Sequence, residues 1–480
     1  MEKFDLLNST GVSLKDPRYQ DLLATLQGNI LKGHGRTHAY HLFLTIKPGA
    51  VSIARTWIAQ FAGTVTTAFK QLKDAEERET NPEKDGGKFF SFLLSAKGYE
   101  ILGIPVPGIP SDKAFLAGLK NRTGITKDEI TNWENSFKNE IHVLLIVADQ
   151  NISTVTREKD NIIAQVTPFA DVVFVQKGKI LRNHSGVGIE HFGYADGISQ
   201  PNFLKTDDSP ATQWEDNGAL LNTVLVREPG EGESSYFGSY FVFRKLEQNV
   251  KKFKDYENAL SQEFNQEPGD IYGIFNKHRH QNKELAGAMI IGRFEDGTEV
   301  INHSDEKDIE DESQMNNDFD YRDDAIGSIT NGSKCPFHAH IRIANPRADI
   351  GETAKQIRLT RRGMPFNDIG RDESDLEKDQ PDGGVGLLFM CFQSSITGQF
   401  EKIQGGYANT GIIGNRNVGQ DAVIGQGANA IEKSLPVQWG INAQTRLVPS
   451  TFRDFVTMRG GEYFFAPSIP FLKNLYSSSF

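Results

Sequence analysis

The sequence predicts an α+β fold, and three observations carry that prediction. Strand-like runs recur between helical stretches without the strict strand–helix alternation of a doubly wound protein. A similar order of elements restarts in the second half of the chain. At 480 residues, 38% hydrophobic and 24% charged, the composition is that of a globular protein long enough for two domains, or one very large one, with ample core.

Taken in order, the strand-like runs are Tyr40–Ile46 (YHLFLTI), Ile141–Ala148 (IHVLLIVA) and Val172–Val175. After a polar, acidic stretch at Lys205–Asn217 the programme restarts with Ser239–Phe243 (SYFVF), a helical segment KLEQNVKKFKDYENAL, and the strand Gly386–Gln393 (GLLFMCFQ). Two related halves, 1–215 and 216–480, are therefore expected. No short-period repeat or heptad array is visible. Asp305–Asp324 is rich in Asp and Glu but lacks the central Gly and terminal Glu of a calcium loop, so a solvated acidic loop is expected. Gly405–Gly427 contains neither GxGxxG nor a Walker-type lysine and reads as a long, structured loop system.

A net charge of -11 argues against a phosphate-backbone partner, which needs clustered Lys and Arg. No apolar run approaches the roughly 20 residues that span a bilayer. The opening MEKFDLLNSTGVSLKDPRY has no apolar core behind basic residues, so no secretory signal is expected, and the Asn-x-Ser/Thr triplets are then chance matches. Two cysteines, Cys335 and Cys391, are too few for a disulfide scaffold or a thiolate zinc site. A reducing cytoplasm is the expected location.

The stretch richest in chemistry is Cys335–Arg347, CPFHAHIRIANPR. Pro336 suits a first helical turn and Asn345-Pro346 stops a helix, which predicts a helix over Pro336–Ala344. At about 100° per residue, Phe337, His340, Ile341 and Ala344 share one face, and His338 and Arg342 another. An imidazole in the middle of an apolar stripe is either a satisfied core histidine or the axial ligand of a buried cofactor. Two further features bear on that choice. Asp196 lies between Gly193 and Gly197, which holds a carboxylate on a tight turn where ligands can approach, although an ordinary Asp-Gly turn would look the same. Arg361 and Arg362 precede Gly363-Met364-Pro365 and could present a guanidinium to a site, the other being surface. A non-haem metal enzyme using His338 and His340 would need them on a strand, against the proline boundaries.

In combination these motifs resemble the dye-decolourising peroxidases, a haem family. Its GxxDG motif is matched by Gly193-Tyr194-Ala195-Asp196-Gly197 within HFGYADGISQP, its proximal CPFxAHIRxxNPR by Cys335–Arg347, and its distal arginine by Arg361 in RRGMPF. QGNILKGHGR at Gln27–Arg36, GLLFMCFQSSI, FEKIQGGYAN at Phe400–Asn409 and GGEYFFAPS at Gly460–Ser468 extend the likeness over nearly the whole chain. Departures are Phe294 where a tryptophan is common and His338 where a small residue is common.

The resemblance implies two ferredoxin-like α+β halves with antiparallel sheets, a dimeric α+β barrel, and one haem b per chain bound mainly by the second half. It implies His340 as the iron ligand, and makes Asp421 in DAVIG the candidate carboxylate for its other ring nitrogen. Asp196 would shuttle the proton during peroxide heterolysis and Arg361 would stabilise the developing charge while helping to keep Asp196 ionised, with an acidic pH optimum. Arg293 in IIGRFEDG would pair with a haem propionate, and Leu387 and Phe389 would form the apolar distal wall. His338 and His191 are expected behind the site, and Trp214, Trp439 and several tyrosines are available to carry electrons from large donors. The implied reaction is reduction of hydrogen peroxide through a ferryl intermediate with one-electron oxidation of dyes, phenolics and other aromatic donors, in a protein with no nucleic-acid or membrane partner and compatible with a homo-oligomer. The alternative from another class is a haem-handling protein of the deferrochelatase kind, which needs His340 but has no use for the Asp196 and Arg361 pair.

Overall fold

The structure, a computed structural model, describes residues 5–81, 85–205, 214, 218–229, 236–264, 279–309, 315–323, 328–329, 332–427, 433–436, 439–440, 445–448 and 452–476. Ten strands form its main sheet: β1 His38–Ile46, β2 Phe89–Leu94, β3 Val143–Asp149, β4 Ala170–Lys179, β5 Val226–Arg227, β6 Phe237–Gln248, β7 Thr360–Arg361, β8 Met364–Asn367, β9 Val385–Gln393 and β10 Val456–Ala466. The strand order is β7-β9-β6-β10-β2-β3-β1-β4, with β8 also on β9 and β5 on β6, and every named pairing is antiparallel. The α+β expectation is met.

The sheet divides naturally at its weakest seam, because β10 meets β2 through the single register pair Phe465–Leu94. On one side lie β1 to β4 and on the other β5 to β10. The far edges approach each other: β8 packs beside β4, where a Cβ on Gly178 would lie 2.5 Å from Met364 Sδ, so glycine is needed for the close approach. The boundary expected between 215 and 216 lies outside the described residues, as does most of the acidic stretch before it.

Most of the core is one large apolar cluster that runs from Val12 to Leu475 and draws on every long strand. β3 (VLLIVAD) is buried at every position, which explains why its run is continuously apolar instead of alternating. Helices α1 Val51–Phe61, α2 Ala68–Thr80 and α3 Ile152–Val166 follow in the first half. Asn151 caps α3 by accepting from Ser153 N (2.8 Å) and Thr154 N (3.3 Å). In the second half, α4 Val250–Phe264 begins after Asn249, whose Oδ1 accepts from Lys252 N at 2.8 Å.

Three expectations need correction here. Lys245–Gln248 belongs to β6 and not to the helix, because the ladder to β9 runs unbroken from Tyr240–Gln393 to Glu247–Gly386 and sheet pairing overrides the helical propensity of KLEQ. Phe89–Leu94 is a further strand, its FFSFLL run interrupted by the buried polar Ser91. The acidic segment is not a solvated loop throughout: Ile309, Met315, Phe319 and Tyr321 within it are buried.

Candidate active site

A single cavity between the second-half sheet and the Asp196 loop is lined by six of the seven residues singled out as site candidates, His340, Asp196, Arg361, Arg293, Leu387 and Phe389. The seventh, Asp421, stands directly behind His340.

His340 is the first residue of a short helix, α6 His340–Ala344, preceding which α5 spans Arg279–Ile291. The helix expected to begin at Pro336 is therefore five residues long. Pro336–Ala339 forms a turn closed by Ala339 N donating to Pro336 O (3.0 Å), and Ala339 is extended (φ −59, ψ 136). The Cys335 carbonyl accepts from Arg342 Nη1 at 2.6 Å, and Phe337 covers the same guanidinium, so local tertiary contacts replace the first helical turn. The face assignment survives the shortening, since His340, Ile341 and Ala344 all line the cavity. His340 Nδ1 donates to Asp421 Oδ2 at 2.9 Å, which leaves Nε2 for the cavity. Asp421 Oδ1 accepts from Val423 N (2.8 Å) and Ile424 N (3.0 Å), while Asp421 N is tied to Ala408 O (2.8 Å). Burial opposes the charge on Asp421, yet the facing imidazole and the two backbone donors hold its carboxyl below the usual value. His338 is off the helix and off the cavity; it is buried, its Nε2 makes no hydrogen bond among the described residues, and burial pushes its imidazole down to about 3.

Asp196 sits in a turn whose flanking Gly193 (φ 106) and Gly197 (φ 88) occupy conformations that side chains disfavour. The preceding loop is drawn in by Glu190, whose carboxylate accepts from Phe192 N (2.9 Å) and Tyr194 N (3.0 Å). Burial raises Glu190 to about 7. Arg361 Nη1 donates to Asp196 Oδ1 at 3.2 Å, its Nη2 to the Ile198 carbonyl, and its backbone N–H to Gln200 Oε1 (2.9 Å). Strand β7 pairs Arg361 with Cys391 of β9 and so sets the height of the guanidinium. A Cβ on Gly363 would stand 3.0 Å from Asp196 Oδ2, so glycine keeps that oxygen open.

Arg362 is not a surface residue. Its Nε donates to Asn29 O (2.6 Å), Nη2 to Ile30 O (3.0 Å) and Nη1 to Arg361 O (2.7 Å), which clasps the QGNIL segment onto β7. Burial pushes its guanidinium down to about 9. Gln27 anchors the same segment by donating to both Phe92 O, in β2, and Pro467 O, just past the end of β10, at 2.7 Å.

Other expectations are altered. Arg293 lines the cavity, and three of its five donors are directed to Gly297 O (2.7 Å), Asn316 O (3.1 Å) and Asn317 Oδ1 (2.8 Å). Arg347 and Arg358, which were not singled out, also line it, as does buried Arg244, whose ion pair with Asp128 and bond to Gln404 Oε1 (2.6 Å) join β6 to the loops. Leu387 and Phe389 project from alternate positions of β9 into the same space as Arg244 and Leu246 of β6. His191 is buried and bonded to Phe366 O (2.8 Å) and Arg371 Nη1 (3.1 Å), holding β8 in place. Trp214 is buried and Trp439 donates to Val300 O (2.8 Å), so neither is an exposed indole.

The donor set suits a haem. One imidazole has a nitrogen committed to a carboxylate and the other left for a metal, Ile341, Leu387 and Phe389 supply an apolar wall, and several guanidiniums stand where carboxylate substituents could be met.

Comparison with known proteins agrees. Residues 25–181 match the model of the DyP dimeric alpha+beta barrel domain, and residues 193–416 that of the C-terminal region of Dyp-type peroxidases. The chain is 37% identical to the multifunctional dye peroxidase DyP2 of Amycolatopsis sp., over 95% of this chain and 96% of that one. It is 29% identical to a dye-decolorizing peroxidase of Exidia glandulosa over 92% of this chain and 85% of the other. Among solved structures, the DyP-type peroxidase of Anabaena sp. superposes with a TM-score of 0.85 at 37% identity, covering 98% of this chain and 99% of that one.

Proposed function

Because the chain belongs to the dye-decolourising peroxidase family and is a peroxidase, we propose that its cavity would hold one haem b, with His340 as the residue that would bind its iron and Asp196 and Arg361 as the residues that handle peroxide. The observation that carries this reading is the joint lining of one cavity by His340, backed by Asp421, and by the hydrogen-bonded Asp196–Arg361 pair. A carrier of haem has no use for that pair.

Bound there, the haem iron supplies the electron transfer between peroxide and donor. The protein's own residues supply the rest. Asp421 orients His340 and keeps the proton on Nδ1, so that Nε2 offers its lone pair. Asp196 Oδ2, left open by Gly363, takes a proton from one peroxide oxygen and returns it to the other. Arg361 neutralises charge on the departing oxygen and, by bonding Oδ1, keeps the working oxygen aimed at the cavity. Leu387 and Phe389 narrow the space and exclude water. The donors are dyes, phenolics and other aromatics, each giving one electron. Two free, buried cysteines support a reducing cytoplasm as the location, and no helix among the described residues is long and apolar enough to cross a membrane.

The test is spectroscopic. A Soret band that shifts on adding peroxide is expected, with Asp196→Asn and Arg361→Leu each slowing that shift by roughly 10²-fold or more. Unchanged rates in both variants would remove the proposed distal roles.

A further inference from the structure

Beyond the Asp196–Arg361 pair lies a second cavity, of about 760 Å³, that shares Asp196, Gly197 and Arg361 with the first. The pair thus forms the partition between an inner chamber and an outer vestibule. Asn29 and the Gly33–Gly35 segment wall one side of the vestibule, and Leu181, Val187, Ile189, Met364 and Pro365 give it an apolar flank. Its volume falls in the range that takes a small organic ligand.

The charge of this vestibule is opposite to that of the protein. Among the described residues lining it, Arg78, Arg182, Arg361 and Arg362 are cationic and only Asp196 is acidic, in a chain of net charge -11. Asp196 is already matched by Arg361. Arg362 turns its donors to backbone carbonyls, which leaves its charge uncompensated by any carboxylate contact among the described residues. Arg78 and Arg182 are exposed, and neither forms an ion pair among the described residues; Arg182 bonds only the Gly186 carbonyl (2.6 Å). A concave site with one sign of charge concentrates ligands of the other sign.

We propose that the vestibule binds small anionic aromatic electron donors, phenols bearing a sulfonate or carboxylate, with Arg78 and Arg182 receiving the anionic group and the apolar flank receiving the ring. This rests on the peroxidase reading above. Each donor gives up one electron and its phenolic proton, and two donors reduce one hydrogen peroxide to two waters, so the balance needs nothing beyond the established oxidant. Peroxide, being neutral, crosses the same vestibule without responding to its field.

The probe is 4-hydroxybenzenesulfonate, with phenol as its neutral counterpart, and the protein is the haem-loaded full chain. Equilibrium binding is measured by titration calorimetry without peroxide, and kcat/KM for each donor with it. In Arg78→Gln/Arg182→Gln the dissociation constant of the sulfonate is expected to rise roughly 5-fold, and the sulfonate-to-phenol ratio of kcat/KM to fall by a similar factor. Raising salt should bring the native protein to the same values. Arg78→Lys/Arg182→Lys, which keeps the charge, should restore most of the difference. Equal sulfonate affinity in native and Gln proteins, or failure of salt to weaken it, overturns the proposal. Absence of turnover of either donor by the native protein would instead refute the peroxidase reading, while the calorimetric arm still decides the site.

Discussion

Replacing Asp421 by Asn tests the proximal arrangement without changing its shape. In the native protein one carboxylate oxygen accepts from Val423 N and Ile424 N while the other accepts from His340 Nδ1 at 2.9 Å. Asn has one acceptor and one donor in those two places. If its oxygen stays on the two backbone N–H groups, its NH₂ meets an Nδ1–H, and the pair can be satisfied only by moving the imidazole proton to Nε2. That tautomer has no lone pair for a metal. The reversed amide would forfeit two backbone bonds instead of one, so the tautomer change is the cheaper response. Holding the ligating tautomer in the variant forgoes one charge-assisted bond to a fully buried partner and leaves two donors facing, about 3 kcal/mol together. At 1.4 kcal/mol per decade this is roughly a 100-fold loss of haem affinity. The assay is titration of apoprotein with haem, followed by the Soret band and by an axial-ligand signature such as the electron paramagnetic resonance of the ferric state. Native affinity together with a native ligand signature in Asp421→Asn would refute the reasoning.

Two further outcomes concern stability. Arg362→Met removes three hydrogen bonds to carbonyls and should lower unfolding stability by about 3 kcal/mol in denaturant titration; a loss under about 1 kcal/mol would mean that water entering the vestibule replaces the clasp. Burial raises Glu228 to about 7 from 4.5, so the folded state binds the extra proton between those values and the stabilisation it brings is complete below about pH 4.5 and lost as pH rises through about 7. Glu228→Gln should therefore become more stable relative to the native protein by roughly 3 kcal/mol between pH 5 and 8, and a difference independent of pH would contradict the shift. The comparison must be between the two proteins at each pH, because His41 and His191, held down to about 4 by burial, tilt both curves the other way over the same window.

His340, Asp196 and Arg361 are legible because each sits in a short motif whose glycines and prolines constrain the backbone locally. The strands are legible where the apolar run is continuous, as in β3, and less so where a polar residue interrupts it, as buried Ser91 does in β2. Lys245–Gln248 misleads for the opposite reason: its local composition favours a helix, and only the neighbouring β9 makes it a strand. His338 and His340 differ in placement although they are two residues apart, because the chain is extended at Ala339 and only His340 lines the cavity.

By itself the sequence determined the fold class and the family and pointed to His340, Asp196 and Arg361 as candidates, since those depend on patterns within a dozen residues. Only the tertiary structure decided the partners. The Asp421 carboxylate lies 81 positions from His340, and two of the three carbonyls held by Arg362 lie more than 330 positions away. The Arg293 guanidinium is diverted to the backbone around it, and arginines spread from residue 78 to residue 362 converge on one vestibule. Such pairings follow from strand register and loop closure, which bring distant donors and acceptors to one place, and no local pattern encodes which of many equivalent arginines or aspartates will arrive there.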